Sequence, residues 1–185
     1  MTGKQFWQSA SNWGLMGGVG LFVVNLISWG FGWEADNIGW PVELMHFVII
    51  GSLIVVTGRR NAAGVGREGY SYGRAVSFVF ALMLFAGIVF GIGRFLMVNY
   101  IAHDYYAAIN EKAIETMVQM YRSSPMAGQM RAMAEGMMTN PLSLMFMSVC
   151  ELVIKGGFLG LFLCAFLYKK PDMFAGSNRD QGAAI

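Results

Sequence analysis

At 185 residues, with 56% hydrophobic content and a mean hydropathy of +0.50, the chain departs from the composition of a soluble domain. A net charge of +2, with no Lys/Arg cluster interleaved with aromatics, excludes a nucleic-acid-binding surface. Four long apolar stretches instead predict an all-α integral membrane protein, a four-transmembrane-helix bundle over residues 1–170 followed by a flexible tail at 171–185.

The chain starts with a short polar segment carrying Lys4, Trp7 and Trp13, aromatics suited to a membrane interface. It has no strongly basic leader region and no small-residue cleavage site, so the first apolar run is expected to stay as a helix. That first span, Gly14 to Trp33, is free of ionisable side chains and holds Asn25 as its one strongly polar interior residue. Glu34 and Asp36 follow among Trp29, Trp33 and Trp40, at the opposite interface. Pro41 suits the first turn of a second helix, and Glu43 favours its positive dipole end. This span runs to Gly58 with Glu43 and His46 near its entrance, then meets Arg59-Arg60.

A basic loop comes next, with Arg59, Arg60, Arg67 and Arg74 against Glu68. Its Gly64-Val65-Gly66-Arg67-Glu68-Gly69 matches G-x-G-x-x-G as a string, but no strand precedes it, so a flexible basic turn is expected. The third span, Ala75 to Tyr100, is interrupted by Arg94. Residues 103–140 form the one sizeable extramembrane piece. Tyr106, Ile109, Ala113, Met117 and Tyr121 recur at helical spacing and predict an amphipathic helix. Ser124-Pro125 opens a second one, whose Met126, Met130, Met133 and Met137 are expected on a single face, as core or as contact with the bilayer or a partner.

Asn140-Pro141 repeats the cap signal and starts the fourth span, which closes on Tyr168-Lys169-Lys170. Glu151 and Lys155 lie near its middle. Each charge costs about 2.5–3.5 kcal/mol at mid-bilayer, against about 0.3–0.6 gained per Leu, Ile, Phe or Val. Their i, i+4 spacing lets the pair partly neutralise itself, and the shared face should seek partners inside the bundle. Cys150 and Cys164, about 21 Å apart on one helix, cannot bridge each other.

Lys/Arg counts in the short flanks place both termini and the basic loop in the cytoplasm. The expected location is the bacterial inner membrane, multi-pass. On this topology Asn25, Glu43, His46, Arg94, Glu151 and Lys155 all fall in the outer half of the bilayer. Ionised, Glu43, Glu151, Arg94 and Lys155 sum to zero, as a closed network in a low-dielectric bundle requires. Arg94 is expected to bridge Glu43 or Glu151, with Lys155 held by Glu151.

Three readings of this cluster stay open. It could glue the bundle and fix its register. It could form an outward-facing cavity that binds a lipid head group or small anion through Arg94 and Lys155. It could carry a proton or ion path through Glu43, His46 and Glu151. His46 and His103 suit interface roles better than haem ligation, and no cofactor or metal is expected. No G-x-S-x-G, H-E-x-x-H, C-x-x-C, P-loop or kinase-type set occurs, which leans against an enzyme.

Beyond these features, a Trp-bearing start (Phe6-Trp7, Trp13-Gly14), Tyr72-Gly73-Arg74-Ala75, and Tyr100-Ile101-Ala102-His103-Asp104 after the third helix form a pattern with the close Ala165-Phe166-Leu167-Tyr168-Lys169-Lys170. In these the chain resembles the four-helix membrane family of Bacteroidota known as domain of unknown function 4199. Members usually carry Pro where this chain has Ala102-His103. The resemblance implies an inner-membrane protein of unassigned activity and supplies no site residues. Because members are often encoded near a polyprenyl-phosphate-type glycosyltransferase, it also implies an accessory subunit of envelope glycan or lipid assembly. The residues themselves point to a non-enzymatic membrane subunit, with a partner protein or a homo-oligomer engaged through the Met-rich outer helices.

Overall fold

The computed structural model describes residues 3–32, 40–64, 69–120 and 127–167. Helix α1 spans Gly3–Phe31, α2 Trp40–Gly64, α3 Tyr72–Leu96, α4 His103–Met120, α5 Ala127–Thr139 and α6 Pro141–Leu167. A π-helical turn, Met97–Ile101, extends α3. α1, α2, α6 and α3 with its π-turn are long and apolar enough to cross a membrane, making this a multi-pass membrane protein. The acidic loop, the Gly64–Gly69 turn, Ser124-Pro125, Met126 and the C-terminal lysines lie wholly or largely outside the described residues.

The helices are longer than their apolar cores. α1 begins at Gly3, eleven residues before the expected span, because nothing in the polar start breaks a helix and Phe6 has somewhere to pack. Its ring meets Phe78 of α3 edge to face at 5.5 Å. At its far end Gly32, at φ +67°, donates its N–H to the Trp29 carbonyl at 3.0 Å, the left-handed residue that stops a helix.

α3 is the central helix. In its most apolar stretch 56% of residues are buried, against 28–39% in the other three spans. It packs between α1 and α6, while α2 closes the ring by touching α6 and α1. Glycines make the close approaches possible. A Cβ on Gly87 or Gly91 would lie 2.7 Å from the Cα of Val149 or Met145 on α6. Bilayer helices associate through such van der Waals fit, because lipid gives no hydrophobic drive between them. Two buried hydroxyls are answered within their own helices: Thr57 donates to the Leu53 carbonyl at 2.6 Å and Ser148 to that of Leu144 at 2.8 Å.

α4 and α5 pair with each other at the end of the bundle where α3 finishes and α6 begins, here called the hairpin end. On α4 the buried positions are Tyr106 and Ile114, whereas Ala113 of the expected stripe is exposed. On α5 the methionines differ in exposure. Met130 is half-buried one turn from buried Ala134, while Met133 and Met137 turn outward. Met130, Met133 and Met137 share one side of α5 by their spacing, with Met130 at its packed edge beside Ala134 and Met133 the most exposed.

Asn140 caps α6, its Oδ1 accepting from the Leu142 N–H at 2.9 Å and the Ser143 N–H at 3.4 Å. Asn140→Ala should remove about 1 kcal/mol from this end. Amide exchange at Leu142 and Ser143 is then expected to accelerate about fivefold relative to residues deep in α6. Unchanged exchange at both amides would show that the cap is not what holds the turn.

Candidate functional site

Glu151 and Lys155 stand one turn apart on α6, and the Lys155 Nζ donates to Glu151 Oε1 at 2.6 Å. The same ammonium donates to Glu43 Oε2 of α2, also at 2.6 Å. Arg94 of α3 donates through Nη1 to Glu151 Oε2 at 3.1 Å. One chain of ion pairs therefore runs from α3 through α6 to α2. Lys155, not Arg94, is the group that reaches Glu43. Its stem passes the Phe47 ring, with Nζ 6.0 Å from the centroid. Two carboxylates and two cations make the sum of charges zero.

Helix starts and stops explain the meeting. Glu43 sits in the first turn of α2, and Arg94 in the last turn of α3. α6 enters at Pro141, so Glu151 and Lys155 lie three to four turns below the hairpin end. α2 runs parallel to α6, which carries Glu43 to the side of Lys155.

Beside the ion pairs lies a cavity of about 220 Å³, walled by Asn25 of α1, Val42, Glu43 and His46 of α2, Phe90 and Arg94 of α3, Glu151 of α6 and Tyr106 of α4. All four spans and the hairpin thus contribute to one polar space. His46 is 3% exposed and meets Phe90 edge to face at 5.6 Å. Neither of its ring nitrogens has a hydrogen-bond partner. A buried polar atom left unpaired costs about 1–3 kcal/mol, so the position calls for an occupant of the cavity. Nothing in the sequence marks Tyr106 as part of this wall. It entered the reading only as one position of an amphipathic stripe.

A ring nitrogen of His46 and one oxygen each of Glu43 and Glu151 lie within 4.8 Å of one another, donors of a type that metal ions accept. The Lys155 ammonium already stands between the two carboxylates, where a cation would go. A divalent ion added there would leave two uncompensated positive charges in the bundle, a costly state at low dielectric. His103 does not share the cavity. Its Nδ1 lies 3.2 Å from the Val98 carbonyl, and it lines a separate groove of about 200 Å³ between the π-turn, α4 and α5.

The family described as "Protein of unknown function (DUF4199)" matches residues 12–169. The chain belongs to this family. No curated protein and no solved structure matches the chain significantly. The part shared with DUF4199 takes in every residue of the charged chain, the whole cavity wall and both hairpin helices, and leaves out only the first turns of α1 and the tail.

Proposed function

We propose that this chain is a non-enzymatic protein of the bacterial inner membrane that holds the polar head group of a lipid between its helices, as an accessory subunit of an envelope-associated assembly. The observation that carries this is the polar cavity with His46 unanswered inside it. Its charged walls answer one another, so they hold a shape rather than stand ready to react with a substrate. Glu43 lies within about a turn of the start of α2, at the end of the bundle where a head group would enter, and Arg94 sits about two turns inside the extended third span. The exposed Arg59, Arg60 and Arg74 at the opposite end favour the cytoplasm there, and so the outer leaflet for the cavity.

Native mass spectrometry of protein extracted in mild detergent should find one lipid retained per chain. His46→Trp, which fills the cavity, should release it while thermal unfolding stays close to that of the unaltered protein. A chain that carries no lipid from the first extraction would defeat the proposal.

A second reading rests on the hairpin, where Met133 is 67% exposed and Met137 and Met120 also face outward. Flexible thioethers on an outward face suit contact with a partner protein or a second copy. On native gels in mild detergent a stoichiometric complex should fall to the monomer in the double variant Met133→Glu/Met137→Glu. If the unaltered protein already runs as a bare monomer, this reading fails.

A further inference from the structure

Resting on the head-group reading above, we infer that the cavity takes a zwitterionic head, a primary amine joined to a phosphate as in phosphoethanolamine, in preference to an anionic one. The argument begins with charge. The wall is neutral as built, and a neutral wall inside a low-dielectric bundle is disturbed least by a ligand whose own charges cancel. An anionic head would add one uncompensated negative charge.

The second argument is the distribution of unused valences. Arg94 commits one of its five N–H groups to Glu151, and its side chain is 36% exposed at the cavity mouth. The remaining donors suit phosphate oxygens. Glu43 gives Oε2 to Lys155, while its Oε1 takes no hydrogen bond from the described residues, and the side chain is 50% exposed. The His46 ring, neither of whose nitrogens has a hydrogen-bond partner, lines the same cavity beside it. Free donors of Arg94 on α3 and the free oxygen of Glu43 on α2 therefore border one cavity. A ligand carrying a phosphate at one end and an amine at the other satisfies both.

The test uses the full chain in detergent, offered equal mixtures of phosphatidylethanolamine, phosphatidylcholine and phosphatidylglycerol, with bound lipid read by native mass spectrometry. Phosphatidylethanolamine should be retained about tenfold over each of the others, since the trimethylated amine cannot donate and the glycerol head is anionic. Glu43→Gln leaves the wall with one net positive charge and should turn the preference toward phosphatidylglycerol. His46→Gln, which keeps a polar side chain, should lower phosphatidylethanolamine retention without that reversal. Free phosphoethanolamine added in excess identifies the source. If it displaces the lipid, a soluble ligand of the same chemistry also fits; if it does not, the lipid itself is the ligand. Equal or stronger retention of phosphatidylglycerol by the unaltered chain would overturn the zwitterion inference and leave the head-group reading standing. Retention of no lipid would overturn both.

Discussion

Glu151→Ala should destabilise the protein by about 3 kcal/mol, the lower end of the range for breaking a buried ion pair. Among the described residues its carboxylate alone accepts from both Arg94 and Lys155, and its side chain is 29% exposed. Removing it strands an arginine on α3 and leaves Lys155 with Glu43 alone. Glu43→Ala should cost far less, about 1 kcal/mol, because half of that side chain is already solvated and Lys155 keeps Glu151. Replacing Glu43, Arg94, Glu151 and Lys155 together by methionine should bring stability back toward that of the unaltered chain, since no charge is then orphaned. Thermal unfolding in one detergent reads all three. Equal shifts for Glu151→Ala and Glu43→Ala would show that the network is not centred on Glu151.

The second large effect lies on the α3–α6 seam. Gly87→Ala and Gly91→Ala should each cost about 1–3 kcal/mol, and the double variant less than the sum, because one separation of the helices relieves both clashes. At both positions the new methyl group would meet backbone on α6, which cannot turn aside as a side chain can. The helices must separate, and the polar groups a turn or two away lose their register with them. Gly51→Ala is the contrast. Nothing lies within 4 Å of a Cβ there, so the change should stabilise α2 by about 0.5–1 kcal/mol through helix propensity alone. The same unfolding measurement, with lipid retention as a second readout, separates the cases. A Gly87→Ala protein as stable as Gly51→Ala would mean that the seam tolerates a wider spacing.

Much of the architecture was legible because a bilayer imposes a simple rule: a helix must be long and apolar to cross it. The six polar residues of the site stood out for the same reason, since Asn25, Glu43, His46, Arg94, Glu151 and Lys155 interrupt otherwise apolar spans. What could not be read was the neighbour relation. α2 precedes α3 in sequence, yet α3 packs between α1 and α6, a choice made by small residues meeting side chains on helices far along the chain. The partner of Glu43 follows from that ring order and not from spacing. The early start of α1 was hidden because its polar residues carry no hydropathy signal, and only the packing of Phe6 on Phe78 explains it. On α5 the spacing put the methionines on one side of the helix but could not say which would be covered, and Met130 is half-buried while Met133 is exposed.

The two ion pairs that link different spans join residues 112 and 57 positions apart, and both end on α6. Synthesis runs from the N-terminus, so Glu43 and Arg94 reach the membrane long before either group that will neutralise them exists. Until the final span arrives, Glu43 and Arg94, of opposite sign, can turn only to each other or to water. Arrival of α6 brings in one helix the carboxylate that takes Arg94 and the ammonium that takes Glu43.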